Sequence, residues 1–463
     1  MKKIIYGLAG VLVGTGVYFL LPAQLLSSEA RIALAMLCCA VLWWIAKLTE
    51  DYVTALLMAV FLILFSHLSP GTVFKAFSGS SWWLLLTAFA LSSGVKKCGL
   101  LRRISIKILR LFPSGYRWQL LGMYFVSGLT APFIPSLSAK SAILAPLSMG
   151  LSRSMGYKEG SPEDQGLFLA MLTGIRNAAP LFISASVLGY AIMGFLPQEQ
   201  HRQFTMINWF VGVLPWFLLM SLFNYLFILK RYSPKENPKP CKVTQQQREV
   251  PDAMSKEEKQ MLWILLITMA LWISESIHNI PAYIIAILAL VAMHVLGIMD
   301  RASFRTDISW DYLVFIGLVL GLSGCFSELG INDFVVNICR PAAEFLSFSP
   351  FIFLLGIGII TVLMRFLIVS ELTFINIFLV FLIPIALELG INPWAAAITV
   401  YFFISPWFFL YQNPVYMAAY YAVDGKMIKE GEAAGYCLYY LIFAALALSI
   451  CLPYWKLLGF LYI

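Results

Sequence analysis

The sequence predicts an all-α integral membrane protein with about eleven transmembrane helices in two inverted repeats, each containing a re-entrant hairpin and a broken helix. Three observations predict this fold. Of the 463 residues, 60% are hydrophobic and only 12% are charged, which is about half the charged share of a typical soluble protein. The apolar residues form runs long enough to cross a bilayer. Short motifs also recur in the same order in the two halves of the chain.

The apolar runs divide into simple and interrupted ones. The simple runs are residues 4–21, 30–46, 52–65, 82–95, 206–229, 261–274, 282–298, 312–325 and 433–452. The interrupted runs are residues 118–151, 166–195, 350–387 and 393–421. The first run follows two lysines, as in a signal sequence, but a second apolar run comes soon after it. We therefore expect residues 4–21 to be a transmembrane helix that is retained.

Basic residues predict the orientation, because they favour the cytoplasmic side of a membrane. The clusters are Lys2 and Lys3; Arg102, Arg103, Lys107, Arg110 and Arg117; Lys230, Arg231, Lys235, Lys239 and Lys242; Arg301 and Arg305; and Lys426 and Lys429. One threading places them all in the cytoplasm, provided that residues 118–151 and 350–387 enter and leave on the same side as re-entrant hairpins. The N-terminus is then cytoplasmic, and we expect the protein in the inner (plasma) membrane of a bacterium-like cell.

A polar segment rich in Pro, Lys, Glu and Gln divides the chain near its middle. The predicted units are a leading transmembrane helix at 1–29, a first repeat at 30–230, a cytoplasmic linker at 231–260 and a second repeat at 261–463. Ser81-Trp82, Ser93-Gly94 and Pro146 recur as Ser309-Trp310, Ser323-Gly324 and Pro384. The first unit begins outside and the second inside, so the repeats are inverted, as is typical of secondary transporters.

Four polar clusters interrupt the apolar runs, where unpaired polar groups are costly. The first follows Pro132 and Pro135 and contains Ser136, Ser138, Lys140 and Ser141. The second contains Arg176 and Asn177 between Gly174 and Pro180, which are expected to bracket an unwound stretch. The third is Arg365 followed by Ser370, Glu371, Thr373 and Asn376, and the fourth is Ser405 followed by Gln412, Asn413 and Pro414. We expect all four to line one site.

Each cluster has a structural alternative. The hydroxyls of the first hairpin tip can bond to their own backbone around a proline kink, whereas a broken tip offers free N–H groups that suit an anion. Arg176 needs either a bound anion or a structural partner such as Glu371. Ser370, Thr373 and Asn376 share a helix face that Glu371 does not. Arg365 either belongs to the site or extends to the interface.

Other functions find little support in the sequence. The net charge of +8 fits the positive-inside rule, so no nucleic-acid partner is expected. The eight cysteines and four histidines show no metal-ligand spacing, so no metal site or cofactor is expected. No catalytic motif occurs in its required context, so the protein is not expected to be an enzyme. A membrane-embedded enzyme or a lipid-handling protein remains the alternative of another class.

The hairpin and break motifs resemble those of the divalent-anion:sodium symporter family, which includes the sodium/dicarboxylate and sodium/sulfate cotransporters. The motifs are Ser136-Leu137-Ser138 ten residues before Pro146, Ser370-Glu371-Leu372-Thr373 before Pro384, and the breaks Ala179-Pro180 and Gln412-Asn413-Pro414. The resemblance implies an elevator-type secondary transporter of small anions such as di- or tricarboxylates or sulfate, assembled as a homodimer in the lipid bilayer. It also implies sodium as a coupling ion, bound near Ser136, Gly174, Ser370 and Ser405.

The sequence departs from the family pattern at the first hairpin. Leu137 stands where the family has an asparagine that contributes to a sodium cage, and Lys140 and Arg176 add positive charge nearby. Positive charges in a medium of low dielectric repel sodium. We therefore expect weaker dependence on sodium than in the family, with a sodium-independent or proton-coupled exchanger as the alternative mechanism.

Overall fold

The computed structural model describes residues 2–234, 253–346 and 349–462. Within these ranges the secondary structure is helical apart from an isolated bridge between Ile391 and Tyr462. Most of the predicted linker, residues 235–252, lies outside the described residues, and the helices on either side extend a few residues into the predicted bounds.

The helices of the first half correspond to the predicted apolar runs, apart from Pro70–Val73, Leu100–Leu111 and Gln198–Gln203, which lie outside those runs. They are α1 Lys2–Leu20, α2 Ser28–Ile45, α3 Asp51–Phe65, α4 Pro70–Val73, α5 Ser80–Lys97, α6 Leu100–Leu111, α7 Tyr116–Thr130, α8 Leu137–Ser154, α9 Pro162–Ala178, α10 Val187–Phe195, α11 Gln198–Gln203 and α12 Met206–Tyr232. The two interrupted runs become the helix pairs α7–α8 and α9–α10, which confirms a break inside each run.

The second half follows the same plan. Its helices are α13 Lys256–Ile273, α14 Glu275–His278, α15 Ala282–Val295, α16 Arg301–Thr306, α17 Trp310–Glu328, α18 Ile331–Leu346, α19 Pro350–Met364, α20 Glu371–Glu388, α21 Pro393–Phe403, α22 Pro414–Ala422 and α23 Glu430–Leu457. Among the described residues, five helices (α2, α12, α17, α20 and α23) are long and apolar enough to cross a membrane alone. The number becomes six if α5 and α6, which meet at a 67° bend, form one span.

Corresponding helices of the two halves have similar lengths. Helices α8 and α20 both have 18 residues, and α10 and α22 both have nine. The packing is also exchanged between the halves, since α8 packs against α22 and α20 packs against α10. In the same way, α3 packs against α17 and α15 packs against α5. These matches support two structural repeats, and the inversion of the repeats stays a prediction.

A glycine in the left-handed conformation ends α5 and α17 in the same way. Gly99 has a φ of 72° and Gly330 a φ of 68°, a region that side chains with a Cβ adopt only with strain. The chain turns at these glycines into α6 and α18. Helix α6 buries the guanidinium of Arg103, whose Nε donates to Glu258 Oε1 at 2.7 Å. This pair joins α6 to the start of α13 in the second half.

We expect Arg103→Ala to lower the free energy of unfolding by about 2 kcal/mol, because Glu258 would remain buried without its cationic partner. Thermal unfolding in detergent measures the effect. The double variant Arg103→Met/Glu258→Gln leaves no unpaired charge and should recover much of the loss. Lys230, an exposed basic residue of α12, provides the control, Lys230→Met. Equal destabilisation by Lys230→Met and Arg103→Ala would contradict a specific role for the buried pair.

Candidate functional site

The segment between α7 and α8, which is the predicted tip of the first hairpin, is a helix break that contains two prolines. Helix α7 ends at Thr130, a short 3₁₀ turn spans Ala131–Phe133, and Ser136 caps α8 by accepting a hydrogen bond from the N–H of Ala139 at 3.3 Å. Proline lacks an N–H and fixes φ, so the helix cannot continue through this segment without loss. The predicted break lies at this tip.

Lys140 is buried at this tip, with an exposed fraction of 2%. Its Nζ donates to the carbonyl of Ala131 at 3.1 Å and to that of Ala185 at 3.2 Å. The ammonium therefore ties the hairpin tip to the break between α9 and α10. The next residue, Ser141, donates to the carbonyl of Val415 at 2.9 Å and so ties α8 to the start of α22. Ser138 contributes its carbonyl to Ser141 at 3.0 Å.

The break after α9 lies further along the chain than predicted. The expectation of an unwound stretch between Gly174 and Pro180 is wrong in position, because α9 stays helical through Ala178 and α10 starts only at Val187. Gly174 serves packing instead: a Cβ there would lie 2.7 Å from the Ser127 hydroxyl. Arg176 and Asn177 thus lie in the last turn of α9, just before the break.

Two aromatic side chains stabilise the break after α9, and neither belongs to the four polar clusters singled out in the sequence. The Tyr401 hydroxyl donates to the carbonyl of Ala179 at 2.9 Å, and the Trp209 indole donates to that of Pro180 at 2.8 Å. Buried tyrosine and tryptophan usually satisfy their polar atoms. From the sequence, this rule predicts that Tyr401 and Trp209 make hydrogen bonds if they are buried, but it does not indicate which groups they bond to.

Arg365 is buried beside the second hairpin tip, with an exposed fraction of 0%. Its guanidinium donates to the carbonyls of Ile404 and Gln412, both at 2.7 Å, and to that of Ile368. The interfacial alternative for Arg365 is therefore wrong. Carbonyls at a helix end lack intrahelical partners, and the guanidinium supplies donors for those of the break between α21 and α22.

The predicted residues of the fourth cluster shape this second break. Asn413 accepts hydrogen bonds from the N–H groups of Val415 and Tyr416, both at 3.0 Å, which caps α22 above Pro414. Its amide nitrogen donates to the carbonyl of Ser405 at 3.1 Å. Gln412 accepts from the N–H of Phe408 at 3.1 Å. These side chains are occupied in supporting the unwound backbone.

An ion pair joins the two halves between the breaks. Arg176 Nη1 lies 3.5 Å from Glu371 Oε1, and the two side chains are 3% and 7% exposed. Glu371 Oε1 also accepts a hydrogen bond from the Ser405 hydroxyl at 2.9 Å. The structure thus brings together predicted residues of the second, third and fourth clusters, and the structural partner considered for Arg176 is present.

The remaining residues of the third cluster lie on another face of α20, as expected. Ser370 caps this helix, accepting from the N–H of Thr373 at 3.2 Å, and the Thr373 hydroxyl lies 3.3 Å from Asp51 Oδ2 at the start of α3. Asn376, one turn further, and Asn177 of α9 are fully buried. Among the described residues, the Asn177 amide has no hydrogen-bond partner, whereas the Tyr312 hydroxyl lies beside the Asn376 amide. A buried amide without a partner is costly, so Asn177 is the stronger candidate for ligand contact.

A family profile for the sodium:sulfate symporter transmembrane region matches residues 1–461. The chain belongs to the sodium:sulfate symporter family. This match confirms the resemblance inferred from the hairpin motifs. The members of this family are membrane transporters and not enzymes. Membership of a transporter family is consistent with a site built from helix breaks in the middle of apolar segments.

Relatives of this symporter family member include two plant proteins. Dicarboxylate transporter 1, chloroplastic, of Arabidopsis thaliana is 26% identical over 356 residues, which cover 73% of this chain and 62% of that protein. The protein of the same name from Spinacia oleracea is 26% identical over 347 residues, covering 72% of this chain and 60% of that protein. The chain therefore matches less than two thirds of the length of either relative.

Two solved structures share the fold of this family member. The YdaH transporter of Alcanivorax borkumensis has a TM-score of 0.60 at 16% identity, covering 84% of this chain and 88% of that one. MtrF of Neisseria gonorrhoeae has a TM-score of 0.58 at 15% identity, covering 87% of this chain and 84% of that one. At these identities the likeness concerns the fold alone.

We expect Gly174→Ala to destabilise the protein by about 1–3 kcal/mol, since the added methyl group has to displace Ser127 in a well-packed interior. Thermal unfolding in detergent tests this. Gly16→Ala is the matched control, because a Cβ at that helical glycine meets nothing within 4 Å. Ser127→Ala combined with Gly174→Ala should recover part of the loss. Equal midpoints for the two single alanine variants would contradict the packing role.

Proposed function

We propose that this protein is a secondary active transporter of small anions, either di- or tricarboxylates or sulfate-like anions, that works as a homodimer in the plasma membrane by an elevator-type mechanism. The observation that carries the proposal is the guanidinium of Arg176 at the junction of the two halves. Its Nη1 makes no hydrogen bond to the described residues, and Asn177 beside it has an unpartnered amide. A guanidinium suits carboxylate and sulfate oxygens. The names of the plant relatives support a dicarboxylate.

The cross-links of the site support movement of the hairpins and broken helices as one unit. Lys140 joins the first hairpin to its break, and Arg365 joins the second hairpin to its break. The Arg176–Glu371 pair then connects the two halves. The described helices α3, α5, α15 and α17 pack together outside this unit. They are suited to form the scaffold against which the unit moves.

The packing of the two repeats is not identical, which supports alternation between two states. Helix α18 packs against α20, whereas a cavity of about 400 Å³, lined by Arg102, Arg110 and Pro146 among others, separates much of α6 from α8. Helix α10 packs against α5 and α17, whereas its counterpart α22 packs mainly against α8. Exchange of these arrangements between the halves would open the opposite side of the site.

The two buried cations favour a sodium-independent mechanism as the second candidate. The ammonium of Lys140 and the guanidinium of Arg365 each bind backbone carbonyls from one hairpin tip and from the break of the same half. Carbonyl oxygens in such a cage are also suitable ligands for a hard cation such as sodium. A tethered positive charge supplies the same electrostatic stabilisation and repels a second cation.

We expect the wild-type protein in proteoliposomes to exchange or accumulate succinate, malate or sulfate when choline replaces sodium. Uptake in choline should stay close to uptake in sodium, because Lys140 and Arg365 already occupy the carbonyl cages. Radiolabelled uptake with separately imposed sodium and proton gradients measures this. Loss of all uptake in choline would contradict the sodium-independent candidate. Absence of uptake of any of these anions under every gradient would contradict the proposed transport function.

We expect Lys140→Ala to lose uptake in choline and to regain part of it when sodium is added. The variant removes the positive charge but leaves the carbonyls of Ala131 and Ala185, which can then bind a cation. Initial uptake rates over a sodium titration measure this effect. Lys426→Ala is the control, because Lys426 is exposed and pairs with Asp424 at the surface. Identical responses of the two variants to sodium would refute the role assigned to the ammonium.

A further inference from the structure

We propose that Glu371 competes with the substrate carboxylate for Arg176, so that a proton binds Glu371 when the substrate binds and is carried with it. This inference rests on the proposed anion transport and deepens it. In the substrate-free protein, ionised Glu371 neutralises Arg176. In the substrate complex, an oxygen of the anion takes the place of Glu371 on Arg176, and the carboxylate of Glu371 binds one proton from water to become a neutral acid.

The Arg176–Glu371 contact is looser than the structural contacts of the buried arginines Arg103 and Arg365. The nitrogen and oxygen are 3.5 Å apart, and Nη1 makes no hydrogen bond to the described residues. Arg103 donates to Glu258 at 2.7 Å, and Arg365 donates to three carbonyls. A charge-assisted hydrogen bond is normally shorter than 3 Å. Arg176 therefore keeps donor capacity for a second anion.

The charges of Arg176 and Glu371 link substrate binding to proton binding. Arg176 is buried, and a buried cation without an anionic partner is strongly unfavourable. Glu371 supplies this partner within the protein. A substrate carboxylate on the same guanidinium would leave two negative groups a few ångströms apart, and such pairs favour protonation of one member. Substrate binding and proton binding to Glu371 are then linked, and by thermodynamic reciprocity each strengthens the other.

The other charged groups near Glu371 already make contacts of their own. Arg365 on α19 and Tyr401 on α21 are within electrostatic reach of Glu371. Arg365 is held by carbonyls, and the Tyr401 hydroxyl donates to Ala179. On α3, Asp51 reaches Thr373 but forms a salt bridge with Lys47 at 3.0 Å. Cys437 and Tyr440 on α23 are also within electrostatic reach of Arg176, but a thiol and a phenol are much weaker acids than a carboxylic acid. Among the described residues, Glu371 is thus the carboxylate beside Arg176 that can change charge during transport.

Ser405 allows Glu371 to remain bonded in both protonation states. Its hydroxyl donates to the ionised carboxylate at 2.9 Å. A hydroxyl is both donor and acceptor and can rotate. It can therefore accept a hydrogen bond from the neutral acid after the proton has bound. The change of charge needs no other covalent step.

The test compares the apparent KM for succinate or malate with pH in proteoliposomes of the wild type and Glu371→Gln. For the wild type, KM should fall as pH falls, by up to about tenfold per pH unit for one linked proton. The glutamine variant is permanently neutral, so its KM should be independent of pH and close to the low-pH value of the wild type. An imposed pH gradient should drive uptake by the wild type but not by the variant.

Glu328→Gln is the matched control, because Glu328 lies at the exposed end of α17 and accepts a hydrogen bond from Thr72 at 2.9 Å. It should keep the wild-type pH profile. A Glu371→Gln protein that retains the wild-type slope, or that folds but binds no substrate at any pH, would overturn the inference. If Glu371→Gln does not fold, Glu371→Asp decides: a displaced pH profile supports the inference, and an unchanged one overturns it.

The outcome also separates this inference from the proposed function. Wild-type uptake of a carboxylate with a KM that does not vary with pH would overturn the role of Glu371 and leave anion transport intact. Failure of the wild type to transport any carboxylate or sulfate would contradict the proposed function itself.

Discussion

The structure depends on one constraint: backbone polar groups at a helix break inside an apolar interior must find partners within the protein. The chain interrupts its helices at four such places, between α7 and α8, α9 and α10, α19 and α20, and α21 and α22, so carbonyls lose their intrahelical partners there. Many of these carbonyls accept hydrogen bonds from Lys140, Arg365, Tyr401 and Trp209. Lys140 and Arg365 each bind carbonyls from two separate segments. The bonds of Lys140 to Ala185 and of Arg365 to Ile404 therefore also join distant elements of the chain.

The use of cations to satisfy the backbone affects the charge of the site. Lys140 and Arg365 donate their hydrogen bonds to backbone carbonyls and not to a carboxylate. Arg176 adds a third positive group whose partner is Glu371. The ion pair lies between the halves, and Arg176 Nη1 makes no hydrogen bond to the described residues. The Arg176–Glu371 pair can therefore join the two halves when no ligand is bound, and an anion can compete with Glu371 for Arg176.

The two halves solve the same problem with different residues. Lys140 lies in the first turn of α8, whereas Arg365 lies at the end of α19, on the other arm of its hairpin. A conserved sequence position is therefore not required for the shared role; a donor within reach of the same carbonyls is sufficient. A comparison of the two halves by sequence alone does not show that Lys140 and Arg365 have the same role, although several helix lengths match closely.

The sequence by itself determined the family, the helical class, the limits of most of the apolar helices to within a few residues and the need of Arg176 for an anionic partner, but it did not predict α6 and α18. These follow from local or compositional rules: apolar length, proline breaks and the cost of buried charge. Only the tertiary structure decided that Arg365 is buried, that Gly174 serves packing beside Ser127, and that the first break begins after Ala178. Those outcomes depend on which distant carbonyl or side chain lies within a few ångströms, and the packing of separate helices sets that distance.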